Sequence, residues 1–80
     1  EERISENKWL LSARHEVEHL NEKLNFNLPL DDAYETLGGL ILHAIATIPE
    51  EGFVINLNSC KITIKKVDST RINLVELQLL

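Results

Sequence analysis

Two groupings in this chain have the residue types and spacing to do chemistry. His15-Glu16-Val17-Glu18-His19 reads H-E-x-x-H, the pattern in which two histidines four apart on a helix hold zinc and the glutamate acts as general base. On such a helix Val17, Leu20 and Leu24 form the apolar face, so His15 and His19 project to the solvated side beside Glu22. A zincin needs its histidines turned into a site with a third ligand from elsewhere. No glycine and third histidine follow here at metzincin spacing, and 80 residues leave little material for a substrate cleft. A solvated helix face is the plainer reading of His15, His19 and Glu22, with adventitious binding of zinc or nickel as the sharper one.

The second grouping is Asp31, Asp32 and Glu35. Clustered carboxylates suit a hard cation such as magnesium or calcium. Helix capping explains the same three without a metal. Asp32 at the N-cap with Glu35 three residues on forms a capping box, and all three oppose the positive end of a helix. The other reactive types read as structural. Cys60 falls on the predicted core face, as a small buried hydrophobe. Lys61, Lys65 and Lys66 form a basic stripe on an outer sheet face, where they deter edge-to-edge pairing. Glu50 and Glu51 are solvated turn residues.

Composition narrows the classes further. The net charge is −5, with 13 acidic and 8 basic side chains, which argues against a phosphate-backbone binder and against docking on anionic lipid. No apolar run approaches the ~20 residues of a membrane span, so no direct membrane insertion is expected of this segment. The single cysteine permits no internal disulfide and favours a reducing compartment. The chain begins at Glu1 without a methionine and reads as a piece of a longer protein.

The elements that must position these residues follow from periodicity. Residues 1–7 are charged and aperiodic, a linker or disordered end, and residues 8–80 form a single domain. Lys8-Trp9-Leu10-Leu11-Ser12 has strand character, with Trp9 covering the sheet. A short helix runs from about Arg14 to Lys23 and stops at Asn25, with Pro29 barring continuation. A second helix runs from Asp32 to Pro49, with Gly38 and Gly39 in its interior at a cost of roughly 1 kcal/mol each. Gly38 lies on the apolar face, where a missing side chain allows close approach to the sheet. Gly39 lies opposite, toward the first helix or another chain.

The last third is a three-stranded meander whose register can be derived. A two-residue turn at Asn58-Ser59 pairs Leu57 with Cys60, Ile55 with Ile62 and Phe53 with Ile64. A turn at Ser69-Thr70 pairs Val67 with Ile72, Ile64 with Val75, Ile62 with Leu77 and Cys60 with Leu79. Both place the apolar residues of the meander on one face, and a slip by one residue destroys the agreement. Val67, Ile72 and Leu74 fall on the outer face, a patch that offers a surface for a homo-dimer. The expected fold class is α+β: two helices packed on a mostly antiparallel sheet of three to four strands, in β-α-α-β-β-β order.

With these elements in place, the chain resembles the CorC/HlyC transporter-associated domain. The matching residues are Trp9-Leu10-Leu11-Ser12-Ala13-Arg14, Leu20-Asn21-Glu22-Lys23-Leu24, Asn27-Leu28-Pro29, Tyr34-Glu35-Thr36-Leu37-Gly38-Gly39-Leu40-Ile41-Leu42, Ile48-Pro49-Glu50-Glu51-Gly52 and Val67-Asp68-Ser69-Thr70-Arg71-Ile72. The T-L-G-G-L…I-P-x-x-G run is the specific part. One departure stands out: the family's first strand usually leads into aspartate-glycine-arginine, and this chain has Ser12-Ala13-Arg14.

The resemblance implies a non-enzymatic accessory module that follows a pair of CBS domains in hemolysin-related membrane proteins linked to magnesium and cobalt efflux. Its partners would be the neighbouring CBS and membrane domains of the parent chain, on the cytoplasmic face of the inner or plasma membrane, with no nucleic acid. It brings no catalytic residue, and no cofactor beyond a weakly bound divalent cation. Two readings from other classes stand beside it: a small metal-binding or hydrolytic domain using His15 and His19, and a protein-protein adaptor working through the outer face of the sheet.

Overall fold

The computed structural model describes residues 2–80. The chain runs β1 (Glu2–Ser5), β2 (Lys8–Ser12), α1 (Val17–Leu24), α2 (Leu37–Ile45), β3 (Val54–Leu57), β4 (Cys60–Val67) and β5 (Ile72–Leu79). The strands form one antiparallel sheet in the order β1-β2-β5-β4-β3. The class is α+β as expected, but the sheet has five strands and not three to four. The added strand is β1, in the segment expected to be a linker. Its residues are all exposed, so it carries no burial pattern to betray it. Pairing with β2 and the Arg3 guanidinium 5.5 Å above the Trp9 ring hold it in place. Glu1 lies outside the described residues.

Apart from the Phe53–Ile64 pair, which lies beyond the end of the β3–β4 ladder, the derived register of the meander is the observed one. Leu57 pairs with Cys60 and Ile55 with Ile62; Cys60 pairs with Leu79, Ile62 with Leu77, Ile64 with Val75 and Val67 with Ile72. Asn58, in the turn between β3 and β4, adopts a positive φ of 53° that asparagine tolerates. β2 adds to the free side of β5, with Trp9 opposite Leu77 and Leu11 opposite Val75. Alternation therefore places Trp9, Leu11, Val75, Leu77, Ile62 and Ile64 on the face that the helices cover.

Two expectations about that face fail. Ile72, assigned to the outer face, is buried in the core, because irregularities on either side of the Lys66–Leu74 pair break the alternation between Val75 and Ile72. The outer patch thus loses its central member. Phe53 is 44% exposed, since regular pairing ends at Val54.

Both helices start later than their sequence signals. α1 begins at Val17 and α2 at Leu37, because the segments before them pair with each other. The Val17 amide donates to Glu35 O (2.9 Å), Leu37 to His15 O (2.9 Å) and Gly38 to Ala13 O (2.9 Å), around a bridge between Glu16 and Thr36. That pairing holds residues 35–36 extended, so Asp32 does not cap α2. Thr36 does, its Oγ1 accepting from the Gly39 amide at 3.1 Å. α2 ends at Ala46 in the left-handed region, φ 67°, short of Pro49.

Gly38 and Gly39 consequently sit in the first turn of α2 and not in its interior. A Cβ on Gly38 would stand 3.3 Å from Ala13 Cβ and 3.4 Å from Ala13 O. One on Gly39 would stand 3.1 Å from Tyr34 Cβ and 3.2 Å from Thr36 Oγ1. Gly39 therefore faces its own capping turn, not α1 or another chain. The loop after α1 adds to the core through Asn21, whose side chain donates to Leu28 O and accepts from the Leu28 amide, both at 3.0 Å. This turns Phe26 and Leu28 inward, and Phe26 meets Trp9 edge-on at 5.0 Å between ring centroids.

The Gly38–Ala13 contact gives a first test. Gly38→Ala should destabilise the domain by about 1 kcal/mol, the overpacking of a methyl against a fixed carbonyl outweighing the gain in helix propensity. In the Gly38→Ala/Ala13→Gly double variant the loss should be smaller than the sum of the two single losses. Urea unfolding of the four proteins measures the coupling, and additive losses would remove the contact as the reason for the glycine.

Candidate functional site

The first candidate, the H-E-x-x-H run, is not on one helix. Residues 14–16 precede α1, so His15 lies in the entry turn with its carbonyl engaged by Leu37, while His19 and Glu22 are exposed on α1. The four-residue helical spacing on which a shared metal depends is thereby lost. Among the described residues, no three His, Cys, Asp or Glu side chains gather closely enough to hold a metal ion.

The acidic members of the motif occupy a more suggestive place. Glu16 and Glu18 line, together with Asp31, Asp32 and Glu35, a cleft of about 440 Å³, with Val17, Leu30 and Tyr34 completing its walls. The pairing of the two helix entries builds this cleft. It brings the segment of Glu16 and Glu18 beside the loop leading to Thr36, which carries Asp31, Asp32 and Glu35.

Local bonds shape the loop that carries Asp31 and Tyr34. Asp31 Oδ1 accepts from the Ala33 amide at 2.8 Å, and the Tyr34 hydroxyl donates to Pro29 O at 2.6 Å. Desolvation, with the Asp31 charge beside it, raises the Tyr34 pKa, so this phenol stays protonated as a donor. The cleft is open, and all five carboxylate residues are exposed. They make a region of negative potential suited to a hydrated hard cation, not a closed cage that strips its water.

The remaining reactive residues lie elsewhere. Cys60 is fully buried and burial pushes its thiol up, against a smaller opposing effect of the Asn27 backbone, so it is not poised as a nucleophile. Lys61, Lys65 and Lys66 are exposed on β4, with Lys65 3.8 Å from Glu76. Glu50 and Glu51 are exposed in the turn before Gly52. Asp68 organises the β4–β5 turn: hydrogen bonds, first from the Thr70 amide and then from the Asn73 side chain, hold its carboxyl down at about 2.

Nothing in the sequence marks Glu16 and Glu18 as lining one cleft with Asp31 and Asp32. Their only signal was the motif, which directs attention to its histidines.

The comparisons with known proteins agree with the fold. The family model described as "Transporter associated domain", CorC_HlyC, matches residues 2–80. A Rickettsia canadensis (strain McKiel) protein named "Possible hemolysin C" is 37% identical over 67 residues, covering 84% of this chain and 22% of that protein. The chain thus spans less than a quarter of that relative's length. Among solved structures, a region from Neisseria meningitidis MC58 assigned to an Mg2+ and Co2+ transporter (CorC) superposes with a TM-score of 0.90 at 19% identity, covering 99% of this chain and 96% of that one. A CorC_HlyC domain of a Xylella fastidiosa Temecula1 hemolysin, solved in complex with Mg2+ and Mn2+, gives a TM-score of 0.82 at 26% identity, covering 98% and 94%.

The assignment of the α2 cap to Thr36 and not Asp32 can be tested directly. Thr36→Ala should cost about 1 kcal/mol, the usual loss on removing a cap. Asp32→Ala should stay within about 0.5 kcal/mol, as for a surface residue. Thermal or urea unfolding separates the two, and a larger loss from the Asp32 variant would reverse the assignment.

Proposed function

Because this chain belongs to the CorC_HlyC transporter-associated domain family, we propose that it is a non-catalytic accessory module of a membrane ion transporter, moving magnesium or cobalt, on the cytoplasmic face. The match over residues 2–80 carries this reading. The module acts through surface contacts with neighbouring CBS and membrane domains. To regulate, those contacts must differ in free energy between the transporter's states.

The acidic cleft is the natural place for a divalent cation to enter that balance. The Xylella relative in complex with Mg2+ and Mn2+ supports this reading. So does the cleft itself, lined by five carboxylates. Magnesium keeps several of its waters and takes few carboxylates, so a cation held through water needs no closer convergence of the acids.

Deleting residues 8–80 from the parent transporter should leave ion flux present but shift its dependence on cation concentration, read in reconstituted vesicles. Loss of all flux despite correct insertion, or an unaltered concentration dependence, would refute a regulatory role. For the cleft, Mn2+ should broaden the amide resonances of Glu16, Asp31, Asp32 and Glu35 before others, and Asp31→Asn/Asp32→Asn should weaken this. Broadening centred elsewhere would displace the cation from the cleft while leaving the regulatory reading intact.

A further inference from the structure

A separate recess of about 290 Å³ is lined by Arg14, Thr36, Gly39, Leu42, Arg71 and Ile72, among others. Its two arginines come from distant parts of the chain. The pairing of β2 with β5, extended by the Ala13 amide donating to Asn73 O at 3.0 Å, brings Arg14 beside the start of β5 where Arg71 stands.

Neither guanidinium makes an ion pair among the described residues, although the chain carries a net charge of −5. Asp68, the acid nearest Arg71 in sequence, directs its carboxylate to the Thr70 and Arg71 amides and the Asn73 side chain. The neighbouring amides at the start of α2 are also committed: Leu37 donates to His15, Gly38 to Ala13 and Gly39 to Thr36. The recess therefore owes its attraction for anions to the two arginines and not to an open helix end. The lining also includes the apolar residues Leu42 and Ile72.

A guanidinium fork matches the two oxygens of a phosphate or carboxylate, and two such forks around a partly apolar floor select a charged group attached to a small apolar body. The volume lies at the lower end of the range for small-molecule sites, which suits a single ring or short chain and not a whole nucleotide. We infer that this recess binds the oxyanion end of a small phosphate monoester or carboxylate, with the ligand's apolar part resting on Leu42 and Ile72. The surrounding negative charge opposes approach of an anion at long range, but its reach is about 8 Å at physiological ionic strength. Contact with the arginines decides the affinity.

Titration of the isotope-labelled 80-residue chain with phenyl phosphate and with benzoate tests this by amide chemical shift. At millimolar ligand, Gly39, Leu42, Arg71 and Ile72 should move together. Arg14→Gln/Arg71→Gln should weaken binding at least about tenfold, and Lys61→Gln/Lys65→Gln/Lys66→Gln should leave it unchanged. Both arginines are exposed, so the spectrum away from the recess should persist; Arg14→Lys/Arg71→Lys, which keeps charge and loses the forks, should weaken binding in the same direction. Tighter phenyl phosphate marks a phosphate site and tighter benzoate a carboxylate site. No shift with either ligand, undiminished binding in the glutamine variant, or full binding in the lysine variant overturns the proposal.

Discussion

The approach of Gly38 to Ala13 is the constraint on which the other elements depend. Ala13 is buried, its amide donating to the carbonyl of Asn73 in β5 and its carbonyl accepting from the Gly38 amide. That one residue therefore ties the end of β2 to β5 and to the first turn of α2. The absence of a side chain at Gly38 makes room for the Ala13 methyl, which stands where the family's usual turn has a glycine. Ser12 helps the altered turn to close, its hydroxyl accepting from the Arg14 amide at 3.2 Å. From this point the pairing continues outward to Val17 and Glu35, and it sets where both helices begin.

The same junction borders both recesses. Residues 16–18 and 31–35 form the acidic cleft, and residues 13–14 and 38–39 contribute to the arginine-lined recess. Moving the start of either helix by one residue would rotate its first turn by about 100° and disperse the lining of both. Opposite charge is thus presented on two sides of a short stretch of fixed backbone. This arrangement comes from hydrogen bonds between main-chain atoms, not from the charged side chains themselves.

What could be read from sequence divides along the same line. The meander was legible because two turns and nine apolar positions had to agree on one register, and only one register satisfied them. The apolar face of α1 was legible for a similar reason: Val17 and Leu20 are buried at helical spacing. Helix starts were not, because Asp32 and Glu35 form a plausible capping box locally and lose to tertiary pairing that holds Thr36 extended. β1 has no buried residue, so burial periodicity has nothing to report. Of the candidate site, Asp31, Asp32 and Glu35 were visible as a local cluster, but Glu16, Glu18, Arg14 and Arg71 acquire their neighbours only through pairing between distant segments.

These features bear on how such a domain can convey a signal. Among the described residues every buried side-chain nitrogen and oxygen has a hydrogen-bond partner, and the sheet face, both helices and the Phe26–Leu28 loop share one core. An internal rearrangement would have to break the Ala13–Gly38 junction or the Asn21–Leu28 clasp, exposing groups that cost roughly 1–3 kcal/mol each when left unpaired. A rigid body that changes the charge it presents faces no such cost. Occupying the acidic cleft with a cation, or the arginine recess with an anion, alters the local field by one or two charges while the fold stays fixed. On the regulatory reading proposed above, differential affinity for a partner would then arise at the surface alone, where a chain of 80 residues with a small core has freedom to vary.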